Sequence, residues 1–133
     1  RKAANTYPGR IILGIDAREN RVAVEGWTQE TSLTPVDVAK QYQNEPLAAI
    51  IYTDIQRDGM RSGCNINATR ALAKSVDLPV IASGGISDLR DVLNIVPLEA
   101  DGVMGMITGR ALYDGSLDLK QAIRACKPRA ESA

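Results

Sequence analysis

Val80-Ile81-Ala82-Ser83-Gly84-Gly85-Ile86-Ser87 and Val103-Met104-Gly105-Met106-Ile107-Thr108-Gly109-Arg110-Ala111-Leu112-Tyr113 share one pattern. Each begins as a short apolar run, passes through glycine and leads into a helical pattern. Successive strand–glycine–helix units of this kind describe neighbouring βα units of a parallel sheet. Glycine at such a corner lets backbone N–H groups close on an anion, and a helix N-terminus adds its positive end. In a (β/α)8 barrel the loops after strands 7 and 8 often clamp a phosphate this way. The pair therefore points to a fold and to a class of ligand.

Working outward, Ile11 to Asp16 is a buried strand ending in a carboxylate, and Arg18-Glu19-Asn20 is a turn. Arg21 to Val24 is a short strand-like run behind it. Thr34-Pro35-Val36-Asp37 opens a helix, with Thr as the N-cap, Pro in the first position and an acid in the first turn. Leu47 to Asp54 is a second strand, and Ile55 to Asn65 a long loop. Helices are expected from about Ile66 to Val76, from a cap at Ser87 to about Val96, and from Asp118 to Ala125, with a short one near Arg110 to Tyr113. Pro79 to Ala82 and Gly102 to Ile107 supply two more strands. The order is βαβαβαβα, and continuous apolar strands imply burial on both faces. Residues 1–133 form a single domain, with 1–9 a loose lead-in and 127–133 a frayed tail. A complete (β/α)8 barrel needs roughly 250 residues. The expected architecture is accordingly a half-barrel of four βα units with a parallel sheet.

Composition narrows the function. Sixteen basic and 16 acidic residues balance to zero net charge, with no basic stripe, so no nucleic-acid partner is expected. No apolar run approaches the ~20 residues of a membrane span, and residues 1–6 have no apolar segment behind them that resembles a signal peptide. Cys64 and Cys126 show no motif spacing, which fits a reducing, cytoplasmic setting. Histidine is absent, so acid–base chemistry within this chain falls to Asp, Glu, Lys, Tyr or Cys.

Asp16 ends the first strand, where barrel residues face the active-site mouth and a carboxylate can serve as general acid or base. It is equally a turn-forming Asp capping backbone N–H groups. Thr53 can bond a substrate hydroxyl or orient a carboxylate, or be an ordinary strand residue. Gly84, Gly85, Gly109 and Arg110 form the candidate phosphate pocket; Arg110 either adds charge there or points to solvent. Trp27 can stack on a planar ligand or pack as a lid, and Asp58-Gly59 is by itself a common turn pair.

Together these residues resemble a known family. Ile15-Asp16-Ala17-Arg18 followed by Val22-Ala23-Val24-Glu25-Gly26-Trp27 is similar to the fifth-strand region of the phosphoribosylformimino-5-aminoimidazole carboxamide ribotide isomerases of histidine biosynthesis. Tyr52-Thr53-Asp54-Ile55-Gln56-Arg57-Asp58-Gly59, with Gly63 and Asn65, resembles the sixth strand. Ala82 to Ser87 resembles the seventh, and Thr108 to Tyr113 the eighth. The resemblance spans about residues 10 to 125.

It implies the carboxyl-terminal half of a (β/α)8 barrel and an Amadori rearrangement of an aminoaldose to an aminoketose, without metal or organic cofactor. It further implies that Asp16 is one of two catalytic aspartates, that the other lies on a first strand this chain lacks, and that Thr53 assists. Gly84, Gly85, Gly109 and Arg110 would hold one of two substrate phosphates. Trp27, Asp58 and Gly59 would lie at the substrate or lid. The ligand would be a phosphorylated, ribonucleotide-like compound, and the partner either an amino-terminal half-barrel or a second copy.

The sister cyclase subunit of imidazole glycerol phosphate synthase shares the half-barrel repeat. Gln56, standing before Arg57, and the Val-Glu-Gly-Trp run set this chain apart from it. A phosphate-binding half-barrel without catalysis is a further alternative. Met60 after Asp58-Gly59 and Cys64 between Gly63 and Asn65 depart from the family pattern of Thr and Pro.

Overall fold

The structure is a computed structural model that describes residues 1–24, 29–57 and 63–127. Its strands are β1 (Ile12–Arg18), β2 (Arg21–Val24), β3 (Gln29–Glu30), β4 (Ala49–Asp54), β5 (Val80–Ser83) and β6 (Val103–Ile107). Its helices are α1 (Lys2–Thr6), α2 (Pro35–Tyr42), α3 (Ile66–Ser75), α4 (Leu89–Ile95), α5 (Arg110–Tyr113) and α6 (Leu119–Cys126), and a 3-10 segment covers Val96–Asp101. The sheet order is β3-β2-β1-β4-β5-β6. β1, β4, β5 and β6 run parallel, as the βα pattern requires.

The sheet is mostly, not wholly, parallel. β2 returns antiparallel on β1 through Ala17↔Val22 and Arg18↔Arg21, and β3 continues on β2. The cause is the Glu19-Asn20 corner, where both residues have positive φ, 51° and 62°. Two consecutive left-handed residues match the twist of a tight hairpin, and Asn tolerates that conformation well. The strand-like run at Arg21–Val24 is thus a hairpin arm and not part of the βα series.

Residues 2–6 are helical, not a loose lead-in. Ala4 is buried, Arg1 donates to Gln41 O (3.1 Å), and its guanidinium sits 5.0 Å above the Tyr42 ring and 3.5 Å from Glu45. These contacts fasten α1 to the end of α2. At the start of α2, Thr34 Oγ1 accepts from Asp37 N and Asp37 Oδ2 accepts from Thr34 N, a reciprocal cap after which Pro35 fits the first position.

Strand residues alternate between faces. Ile15, Tyr52 and Ala82 share one row, and Leu13, Ile50 and Val80 another, on the face that packs against Leu72, Val92, Ile95, Leu98 and Ala122 of the helical layer. The opposite face carries the rows Asp16–Thr53–Ser83–Ile107 and Gly14–Ile51–Ile81–Gly105. A register shift between Val80 and Ile81 leaves Met104 unmatched, and its side chain is 62% exposed.

Tyr52 lies in the middle of the helix-covered core. Burial, with Asp54 and Cys64 as smaller causes, pushes its hydroxyl up from 10.0 to about 12. In the unfolded chain the phenol returns to about 10. The neutral form therefore stabilises the fold fully below pH ~10, and that contribution is lost as pH rises through about 12. An alkaline titration followed by tyrosinate absorbance and circular dichroism should show a last ionisation step together with loss of structure. Tyr52→Phe should lack that step.

Candidate functional site

The C-terminal ends of the parallel strands bring three sequence-predicted or adjacent groups into one row. Asp16 pairs in register with Thr53, and Thr53 with Ser83. Thr53 is buried, while Asp16 and Ser83 are partly exposed. All three stand on the sheet face that the helices leave open. Asp16 and Thr53, chosen from separate strands, are thus neighbours at the carboxyl end of the sheet, where barrel enzymes place their chemistry.

The two glycine turns follow on the next strands. Gly84 and Gly85 have φ of 99° and 81°, a region open to glycine at little steric cost. Packing forbids a side chain there as well. A Cβ on Gly84 would lie 2.7 Å from Asp54 O, and one on Gly85 would strike Gly63 O and come within 2.9 Å of Arg57 Cβ. The second turn is stitched to the first: Thr108 Oγ1 donates to Ile86 O at 3.1 Å. Gly109 caps α5, and no described atom would lie within 4 Å of a Cβ placed on it. Arg110, the first residue of α5, is exposed. The turns that carry Gly84 and Gly85, and Gly109 and Arg110, are therefore joined by one hydrogen bond.

The helix after the first turn starts one residue later than expected. Asp88, not Ser87, is the N-cap of α4, forming a reciprocal cap with Asp91. Asp91 Oδ2 accepts from Ser87 N (2.8 Å), Ser87 Oγ (3.0 Å) and Asp88 N (3.3 Å). Asp91 thus engages the amides of Ser87 and Asp88, just ahead of α4.

A further cluster went unrecognised in the sequence. Asp54 is only 6% exposed, yet its carboxylate accepts from Gln56 N and Asn65 Nδ2 and faces Arg57. The Asp54-x-Gln56 spacing is that of a carboxylate bonding the backbone two residues on, a local signal that was available. Its contact with Asn65 was not. Trp27, Asp58 and Gly59 lie outside the described residues. Cys64 is buried, and burial pushes its thiol above the ordinary value, whereas Cys126 is exposed. Among the described residues no cluster of three or more His, Cys, Asp or Glu could hold a metal ion, and no helix is long and apolar enough to cross a membrane.

The family model described as "Histidine biosynthesis protein" matches residues 1–118. The chain belongs to the histidine biosynthesis protein family.

Among similar proteins of that family, one from Syntrophus aciditrophicus is 50% identical over 125 residues, covering 94% of this chain and 52% of its own length. One from Trichlorobacter lovleyi is 52% identical over 126 residues, covering 95% and 51%. One from Geobacter sulfurreducens is 51% identical over 126 residues, covering 95% and 52%. Each is named a 1-(5-phosphoribosyl)-5-((5-phosphoribosylamino)methylideneamino) imidazole-4-carboxamide isomerase. The chain spans about half the length of these curated relatives.

The glycine geometry separates two kinds of position. Gly84→Ala meets both a left-handed backbone and the Asp54 carbonyl, and should cost about 2 kcal/mol or more. Gly109→Ala has φ −131° and open space, and should change stability by no more than about 0.5 kcal/mol. Urea denaturation midpoints of the two variants check this contrast.

Proposed function

We propose that this chain is the carboxyl-terminal half of a (β/α)8-barrel isomerase that converts a phosphoribosylated aminoaldose to the corresponding aminoketose. One observation carries the proposal. Asp16 and Thr53 stand in register at the carboxyl ends of adjacent parallel strands, beside two glycine turns joined by the Thr108–Ile86 bond. This arrangement occurs in a chain about 50% identical to proteins named as isomerases of a compound with two phosphoribosyl groups.

In this proposal the glycine turns hold one terminal phosphate. The N–H groups of Gly84, Gly85 and the start of α5 supply donors, and Arg110 supplies charge. The missing Cβ at Gly109 leaves room for an oxygen to approach the backbone. Phosphate binding remote from the reacting carbons then fixes the sugar against Asp16.

The chemistry follows from the aminoaldose. Asp16 protonates the ring oxygen. The C1–O bond breaks as the nitrogen lone pair forms a C=N bond, giving the open-chain cation. A base removes the C2 proton, and that C–H electron pair forms C1=C2 while the C=N electrons return to nitrogen. The enol then loses its hydroxyl proton as C1 gains one, and the product is a ketone at C2. Thr53, adjacent to Asp16 in register, orients the carboxyl or the substrate hydroxyl. The second carboxylate comes from outside this chain.

The same proposal assigns a partner. Among the described residues, the four parallel strands leave one edge at β6 and a partly open edge at β1, where β2 pairs with Ala17 and Arg18. Ile12 and Ile107 on the open face, and Met104 at the β6 edge, are 45%, 44% and 62% exposed. Unpaired edges and exposed apolar side chains suit closure by an amino-terminal half-barrel, or by a second copy of this chain.

Asp16→Asn, made in the full-length isomerase that contains this half, should retain substrate binding and lose turnover by about 10²–10⁴-fold. It should also flatten one limb of the pH–rate profile. A variant with the wild-type rate and profile would remove Asp16 from the acid–base pair.

A further inference from the structure

The Gly84–Gly85 turn does not stand alone; it rests on the β4–α3 connection, and a buried carboxylate organises both ends of that connection. Asp54 Oδ1 accepts from Gln56 N at 3.1 Å, just after β4. Asp54 Oδ2 accepts from Asn65 Nδ2 at 2.9 Å, just before α3. Asn65 is itself the N-cap of α3: its Oδ1 accepts from Ala68 N at 3.2 Å, and its backbone oxygen accepts from Thr69 Oγ1 at 2.7 Å. Arg57 Nε lies 3.8 Å from Asp54 Oδ2, and its terminal nitrogen donates to Gly63 O (3.4 Å) and Cys64 O (3.2 Å). One carboxylate thus ties residues 56, 57 and 65 together, and through Arg57 it sets the direction of the Gly63 carbonyl.

Those same backbone groups are the floor of the glycine turn. The face of Gly84 that would carry a Cβ lies against the Asp54 carbonyl and amide, and that of Gly85 lies against Gly63 O and Arg57 Cβ. Van der Waals contact this tight transmits a displacement of the floor to the turn. A buried charge held by hydrogen bonds and a facing guanidinium is also costly to disrupt, because its partners are left unsatisfied.

We propose that Asp54 is a positioning residue for the phosphate turn. It touches no substrate. Its carboxylate locks the Asn65, Gln56 and Arg57 ends of the connection, so that Gly63 O and the Asp54 backbone hold Gly84 and Gly85 at their left-handed angles. The link to phosphate affinity rests on the assignment of that turn as a phosphate site; the link to the turn's conformation does not.

The test uses two variants of this chain, Asp54→Asn and Asn65→Ser. Asn65→Ser removes the donor to Asp54 and keeps a competent helix cap, so it remains informative where Asp54→Asn does not fold. Amide resonances of Gly84 and Gly85, their hydrogen exchange, and the affinity for inorganic phosphate are measured beside thermal unfolding.

The expected result is displaced and faster-exchanging Gly84 and Gly85 amides, with phosphate held about tenfold more weakly. Gly109 amides should stay in place. Folded variants with unchanged glycine amides would overturn the role of Asp54, whatever happens to stability. A wild-type chain that does not bind phosphate would instead remove the phosphate assignment, and the glycine amides would still decide the role of Asp54.

Discussion

The tight contact between the Gly84–Gly85 turn and the backbone at Asp54 and Gly63 is the constraint on which the site depends. No Cβ fits between them. The turn that ends β5 is consequently packed directly on the backbone at Asp54, Arg57 and Gly63. Thr108 extends the contact to the end of β6 through Ile86 O. The described parts of three successive βα corners thus meet at the carboxyl end of the sheet, and Asp16 and Thr53 stand in register on the strands beside them.

Among the described residues, the helices cover one face of the sheet below. Ile15, Ile50, Tyr52, Val80 and Ala82 are sealed beneath the helices. The other face presents Ile51 and Ile81 below a top row of Asp16, Thr53, Ser83 and Ile107. A parallel sheet is stable in water when both faces are covered. The chain spans about half the length of its curated relatives, and the proposal places the partner on this open face. The carboxyl end of the sheet already has its glycine turns and one carboxylate. What the proposed chemistry adds from elsewhere is a second acid–base group.

Much of this was legible in the sequence because it is local. The β-branched runs at Ile11–Ile15, Leu47–Ile51, Val80–Ala82 and Val103–Ile107 announce parallel strands, and Thr34-Pro35 announces α2. Glycine pairs after strands announce corners. The hairpin was only half visible: Arg21–Val24 reads as a strand, but its antiparallel return depends on Glu19 and Asn20 both taking positive φ. The helix at Lys2–Thr6 depends on Arg1 reaching Gln41, Tyr42 and Glu45. The cap at Asp88 outcompeted Ser87 because Asp91 reciprocates it. Asp54 was hidden for the same reason as the Thr108–Ile86 bond. Each is defined by partners distant along the chain, Asn65 and Gly84 for the first, and a residue on the neighbouring turn for the second.

The central claim is that Asp16 and the glycine turns are one half of an isomerase site. The most direct measurement is turnover of the phosphoribosylated aminoaldose by this chain alone, by a separately produced amino-terminal half, and by the two mixed. Turnover is expected in the mixture, and it should be lost when the chain carries Asp16→Asn. A mixture that assembles and binds phosphate yet does not turn over substrate would contradict it.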